Sequence, residues 1–194
     1  MKVLLEETSS EFTVKGSRFL AEVFPVTTQA EAREKLNLQK KKYADATHVV
    51  HAFICGLSCE VCGMSDDGEP SGTAGRPVLD VLKGSGITNI LLTVTRWFGG
   101  TLLGTGGLVK AYGDSAKQVL ALCEAEEYVA KAELSFCASY SCWESIKRRA
   151  AGFHFTIVSE SFSDKVQAVV SVFEDEKTAF VKMLSDVSMG EIRL

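Results

Sequence analysis

The chain has 194 residues, 46% hydrophobic and 24% charged, which are globular proportions that exclude a disordered or low-complexity protein. That length suits one domain or two small ones. Basic residues number 21 against 25 acidic ones, a net charge of −4, so any nucleic-acid contact requires a local basic patch.

Residues Met1–Glu7 lack the long apolar stretch of a signal peptide, and no window approaches the roughly 18 apolar residues of a membrane span. Six cysteines (Cys55, Cys59, Cys62, Cys123, Cys137, Cys142) without a secretory signal read as free thiols. The expectation is a cytosolic protein with no membrane partner.

After a polar start, Phe19–Val26 reads as a strand closed by Pro25. Thr28 and Glu31 form a capping-box pattern that opens a helix through about Tyr43. Lys40, Lys41 and Lys42 at its end read as a solvated terminus complementing the helix dipole, with a nucleic-acid grip as the alternative. His48–Cys55 is apolar and β-branched, the pattern of a buried strand. Residues 66–76 are nearly all turn formers and exclude a regular element.

A short helix is expected from Pro77, at the first helical position, to Gly84. Asn89–Phe98 is a second apolar strand. Five glycines follow (Gly99, Gly100, Gly104, Gly106, Gly107), and then a helix to about Glu124. Its buried face is predicted from Val109, Tyr112, Ala116, Val119, Leu120 and Cys123.

Near Glu126 the pattern changes. Tyr128–Ala138 alternates apolar and polar residues, and Trp143, Ile146 and Ala150 mark a helix that stops at Gly152. Phe153–Glu160 and Val166–Phe173 read as strands, Asp175–Ser185 as a helix and Val187–Leu194 as a last strand. This order, βαββαβ, is the split βαβ of ferredoxin-like domains. Two domains are expected, 1–126 and 127–194. Basic and acidic residues number 13 and 15 in the first and 8 and 10 in the second, so neither is a basic arm.

Chemistry is expected in two segments. In the first, Asp66, Asp67 and Glu69 offer carboxylates for Mg²⁺ or for acid–base work, Ser71 and Thr73 offer hydroxyls, and Gly72 and Gly75 permit close backbone approach. The plainer reading is a turn capped by Asp66 and fixed by Pro70 and the glycines. The second segment, Thr95–Lys110, has the strand, glycine-loop, helix order that aims backbone N–H groups at an anion, with Arg96 and Lys110 adding charge. It is neither a P-loop nor a dinucleotide fingerprint. Tight packing through glycine is the alternative.

Cys59-x-x-Cys62 with Cys55, His48 and His51 does not make a zinc site, because His48 and His51 are three apart on a strand and face opposite sides. His48 alone suits either a satisfied buried histidine or a ligand-facing base. A hydrolase triad of Ser71, His48 and Asp66 or Asp67 lacks a nucleophile elbow.

Asp66-Asp-Gly-Glu-Pro-Ser-Gly-Thr-Ala-Gly-Arg-Pro77, followed by Val94-Thr-Arg-Trp-Phe-Gly-Gly-Thr-Leu-Leu-Gly-Thr-Gly-Gly-Leu-Val-Lys-Ala-Tyr112, closely resembles the IMPACT/YigZ family. Ser17-Arg-Phe19 and Ala46-Thr-His48 also fit that family's pattern. Arg76 stands where the family usually has Lys, and the Cys55–Cys62 stretch lies outside the pattern. The resemblance implies an α+β fold: an N-terminal βαβ unit similar to domain 2 of a small-subunit ribosomal protein, then a ferredoxin-like βαββαβ domain. It also implies kinship with eukaryotic proteins that restrain the amino-acid-starvation kinase by competing for its activator.

Carried onto this chain, the family's marked positions are Asp66, Asp67, Gly68, Glu69, Pro70, Ser71, Gly72, Thr73, Gly75, Arg96, Gly99, Gly100, Gly104, Gly106, Gly107, Lys110 and Tyr112. His48 and Arg76 join them as candidate binding residues. The expected function is a non-catalytic binding or regulatory protein of translation or the stress response. Arg96, Arg76 and Lys110 would hold a phosphate against the loops, and the partner would be the ribosome, RNA or a translation-associated protein. No cofactor, metal or DNA partner is indicated. The alternative is a metal-assisted hydrolase or phosphoryl-transfer enzyme using Asp66, Asp67 and Glu69.

Overall fold

The computed structural model describes residues 1–57 and 59–192. The chain is mixed α+β throughout and divides into two compact units, Met1–Tyr128 and the chain from Val129 onward.

In chain order the first unit runs β1 (Lys2–Leu4), β2 (Thr8–Val14), β3 (Ser17–Pro25), α1 (Gln29–Lys42), β4 (His48–Cys55) and β5 (Val61–Ser65). It continues with α2 (Gly75–Gly84), β6 (Ile87–Thr88), β7 (Ile90–Trp97), α3 (Gly104–Leu122) and β8 (Ala125–Glu127). The main sheet is antiparallel, ordered β2-β3-β7-β4-β5, and β1 joins β6 and β8 in a small second sheet.

β7 reads as an unbroken apolar run because it is the central strand, covered on both sides. Ile90, Leu92 and Val94 pack with Phe19, Ala21, Val50 and Ala52 under α2 and α3, while Leu91 packs with Phe24, Phe53 and Ala32 under α1. The two-residue period then carries Arg96 onto the α2/α3 face. Its cross-strand neighbours are Phe19 on β3 and His48 on β4.

The second unit runs β9 (Lys131–Ala138), α4 (Tyr140–Arg149) with a 3-10 turn at Ala150–Gly152, β10 (Phe155–Phe162), β11 (Val166–Phe173) and α5 (Lys177–Val187). Its antiparallel order, β10-β11-β9, places the third strand beside the first, as the ferredoxin-like topology requires. The alternating Ala132, Leu134, Phe136 and Ala138 face Trp143, Ile146, Phe180 and Leu184.

Several boundaries differ from the sequence expectation. β2 arises in the polar start, where only Phe12 and Val14 turn an apolar side chain toward the core. α2 begins at Gly75 rather than Pro77; Pro77 still falls in the first turn, where its missing N–H costs no helical bond. On α3 the buried stripe is Leu108, Ala111, Tyr112, Ser115, Ala116 and Val119, whereas Val109, one step around the helix, is exposed. Glu31 reaches back to the Thr27 N–H at 2.8 Å rather than to Thr28, whose hydroxyl caps the helix by accepting from the Glu31 N–H.

The lysines closing α1 are not simply solvated, since Lys40 pairs with Asp67 and Lys42 with Glu22. The expected last strand, 187–194, is not formed over its described part. There α5 runs through Val187 and turns follow, with Ile192 buried; residues 193–194 lie outside the described residues.

Candidate functional site

Both glycine-rich segments and the ends of β3, β4 and β7 meet at one place. Asp66 opens a turn whose central residues, Asp67 (φ 46°) and Gly68 (φ 88°), are both left-handed, and the Glu69 N–H closes it on the Asp66 carbonyl at 3.0 Å. Asp tolerates this region and Gly adopts it freely, which explains the Asp-Gly pair. The turn sends Glu69 inward, leaving it 8% exposed.

Asp66 itself is consumed locally. Its Oδ2 accepts from the Gly72 N–H at 2.9 Å, and its Oδ1 accepts from Ala74 at 3.1 Å and Gly75 at 2.8 Å. It therefore caps α2 from upstream, supplying what Ala74 at the N-cap position cannot. Burial pushes its pKa up, but the backbone donors Gly72, Gly75 and Ala74 together outweigh burial and hold it below the usual carboxylate value.

Asp67 accepts from the Val49 N–H at 2.7 Å and pairs with Lys40, pinning the turn to β4 and α1. The Thr73 hydroxyl donates to the Pro70 carbonyl at 2.6 Å.

Glu69 sits at the centre of a buried network. Its Oε1 accepts from Arg96 Nη1 at 2.6 Å and from the Tyr112 hydroxyl at 2.8 Å. His48 Nε2 lies 3.8 Å from the same oxygen. His48 Nδ1 is 2.7 Å from the Asp67 carbonyl oxygen, which only accepts, so Nδ1 carries the proton there. Arg96 Nη2 donates to Ser17 Oγ at 3.3 Å, and Ser17 Oγ also accepts from the Gly99 N–H at 3.1 Å. Burial, followed by the Glu69 carboxylate, pushes the Tyr112 phenol far above its ordinary value, so it remains a donor.

Beside this network lies a cavity of about 420 Å³, lined among others by His48, Glu69, Pro70, Phe98, Leu102 and Gly104. Phe98 and Leu102 are 47% and 82% exposed. Gly99 is required by close approach: a Cβ there would come within 1.8 Å of the Gly16 carbonyl carbon. Gly75 likewise faces the Ser65 backbone. Gly100 and Gly104 have positive φ, while Gly106 and Gly107 lie in the first turn of α3.

The structure thus brings together His48, Glu69, Pro70, Arg96, Gly104 and Tyr112. It does not bring Arg76 or Lys110 to the cavity. Arg76 is exposed and pairs with Asp80 at 2.8 Å, and Lys110 is exposed on α3 beyond the lining. Ser71 is exposed and His48 bonds a carbonyl rather than a carboxylate, so no Ser/His/Asp triad forms.

The three carboxylates of the metal-assisted alternative are engaged with separate partners. Asp66 faces backbone N–H groups, Asp67 faces Lys40 and Glu69 faces Arg96. Among the described residues no group of three His, Cys, Asp or Glu side chains is placed to hold a metal. The sequence reading missed Phe98 and Leu102 as cavity walls. Their signal was available in two large apolar side chains set beside glycines, where a folded core cannot cover them.

Residues 15–120 match the Impact N-terminal domain, and residues 138–191 match a domain described only as of unknown function. The chain is 33% identical to IMPACT family member YvyE of Bacillus subtilis over 181 residues, covering 93% of this chain and 83% of that protein. It is 32% identical over 183 residues to IMPACT family member YigZ of Escherichia coli, covering 93% and 90%. A crystal structure of a hypothetical protein superposes with a TM-score of 0.73 at 29% identity, covering 99% of this chain and 94% of that one. With both glycine-rich segments inside the first matched region, and relatives aligned across most of its length, this chain belongs to the IMPACT family.

Proposed function

We propose that the chain is a regulatory binding protein of the cytosol that engages the translation apparatus or a protein associated with it. Its contact surface would be the cleft between the 66–75 loop and the start of α3. The observation that carries this reading is how the charged groups are used. Asp66 is bonded to backbone, Asp67 to backbone and Lys40, and Glu69 and Arg96 to each other, to Tyr112 and to Ser17, whereas the apolar Phe98 and Leu102 are left in solvent at the rim. Groups engaged in this way hold a surface in shape, and exposed apolar side chains around a cavity mark a contact site. Among the described residues no helix is long and apolar enough to cross a membrane. The family resemblance supports the link to translation.

The test is sucrose-gradient sedimentation of tagged protein in native extract, with and without nuclease, at low and near-physiological salt. Wild type is expected to move with ribosomal particles or a discrete complex, and Leu102→Asp is expected to stay at the top. Because Leu102 is almost fully exposed, its replacement leaves the fold intact. Wild type remaining at the top under every condition would overturn the reading.

A further inference from the structure

The layer between α1 and the main sheet is built differently from the layer under α2 and α3. Only Ala32 and Gln39 of the 14-residue α1 are buried, against seven residues of α3. Ala32 and the half-buried Leu36 meet Phe24, Phe53, Cys55 and Leu91 at one end of the sheet. Toward the other end the same face turns polar. Glu22, Thr93 and His51 form a row across β3, β7 and β4, and Thr95 follows two positions along β7.

This layer leaves five polar atoms buried without a hydrogen-bond partner: Glu22 Oε2, Gln39 Oε1, His51 Nδ1, Thr93 Oγ1 and Thr95 Oγ1. They are five of the seven such atoms among the described residues, so the defect is concentrated under one helix. In water each would be hydrogen-bonded, and each therefore opposes the docking of α1.

What holds this half of α1 down is ionic. Lys40 pairs with Asp67, and Lys42 and the following Tyr43 donate to Glu22 Oε1 at 3.2 and 3.0 Å. The Lys40 and Lys42 side chains are 42% and 56% exposed. Pairs this open to solvent are weak and are screened by salt.

We infer that α1 is a detachable cover, which lifts from the β3, β7 and β4 face while the rest of the unit stays folded. On lifting it takes Lys40 away from Asp67 and loosens the turn that seats Glu69 beside the cavity. The bonds of Asp66 to Gly72, Ala74 and Gly75 do not involve α1, so the change is confined to the 66–69 turn. Its bearing on partner binding rests on the cleft being the contact surface, as proposed above; the lifting itself does not.

The test is hydrogen exchange of the purified full chain, read by mass spectrometry on peptides from α1, the 66–69 turn, β7 and α3. Amides of α1 are expected to exchange about 100-fold or more faster than those of β7 and α3, which open only with the whole unit. The variant Thr93→Val/Thr95→Val replaces both unpartnered hydroxyls by methyl groups in a strand that favours β-branched residues. It is expected to slow α1 exchange about tenfold or more, and the 66–69 turn with it. Fraying of the helix ends would not respond to substitutions on the sheet. Raising the salt concentration is expected to speed α1 relative to α3.

Equal protection of α1 and α3 would overturn the inference. So would α1 exchange that is indifferent to Thr93→Val/Thr95→Val. If α1 slows in that variant and the 66–69 turn does not, the link between cover and cleft is refuted. Wild type that stays at the top of the sucrose gradient while α1 behaves as expected would remove the contact surface and leave the cover standing.

Discussion

The Glu69 carboxylate and the Arg96 guanidinium, 27 positions apart in the sequence, meet at 2.6 Å with side chains 4% and 6% exposed. Removing one member of such a pair strands the other charge out of water. Arg96→Ala is therefore expected to lower unfolding free energy by about 3–5 kcal/mol in urea titration. The double change Arg96→Met with Glu69→Leu should cost less than the single one, because no uncompensated charge remains. A loss within about 0.5 kcal/mol for Arg96→Ala would mean that the pair contributes nothing.

Tyr112 is fully buried and donates to the same Glu69 oxygen. Tyr112→Phe keeps the ring against Phe19 and deletes only that donor. A hydrogen bond to a charged group stabilises by about 1.5–3 kcal/mol, and thermal or urea unfolding should show a loss of that order. Ultraviolet titration should show Tyr112 silent in the usual alkaline range until the chain unfolds.

Asp66 gives stability a dependence on pH. Its folded pKa is depressed, so its stabilisation is present above the unfolded value of about 3.9 and is lost as pH falls through the lower folded value. Wild type and Asp66→Asn should differ in unfolding free energy at neutral pH, and that difference should shrink in acid. A difference that stays constant to low pH would show that the carboxylate charge is irrelevant to the loop.

Two glycines only seven positions apart should behave oppositely. Gly99→Ala places a Cβ 1.8 Å from the Gly16 carbonyl carbon, so one of the two backbones must move. The expectation is a destabilised protein with a shifted 98–103 loop. Gly106→Ala meets open space on a helix, and the lower entropy of its unfolded chain should stabilise it by about 0.4–1 kcal/mol. Melting temperatures of the two variants check both signs at once.

Much of the fold was legible because its central strands announce themselves. His48–Cys55 was read with the limits the structure shows, and Asn89–Phe98 differs from β7 only at its ends. The edge strands were not legible. β2 carries two apolar residues toward the core, and β5 contains Gly63 and half-exposed cysteine and methionine neighbours, so neither shows a clear period. Val109 was misplaced because the glycine-rich start of α3 gives no phase until Leu108. At the site, Asp66 as a cap and the inward turn of Glu69 follow from local chemistry. The cross-strand seating of Arg96 beside His48 depends on strand register, which no local pattern specifies. Arg76 and Lys110 were grouped with Arg96 by charge and sequence proximity, and neither criterion senses the direction in which a helix carries its side chains.

The single carboxylate of Asp66, by gathering the N–H groups of Gly72, Ala74 and Gly75, does more than start a helix. A stretch rich in Gly, Pro, Ser and Thr would otherwise sample many conformations, and fixing each residue costs about 1–2 kcal/mol of chain entropy. Here that freedom is surrendered during folding, so the wall beside the cavity is already shaped before anything arrives. Association with this wall should show the small activation barrier and small heat-capacity change of preorganised recognition rather than those of coupled folding.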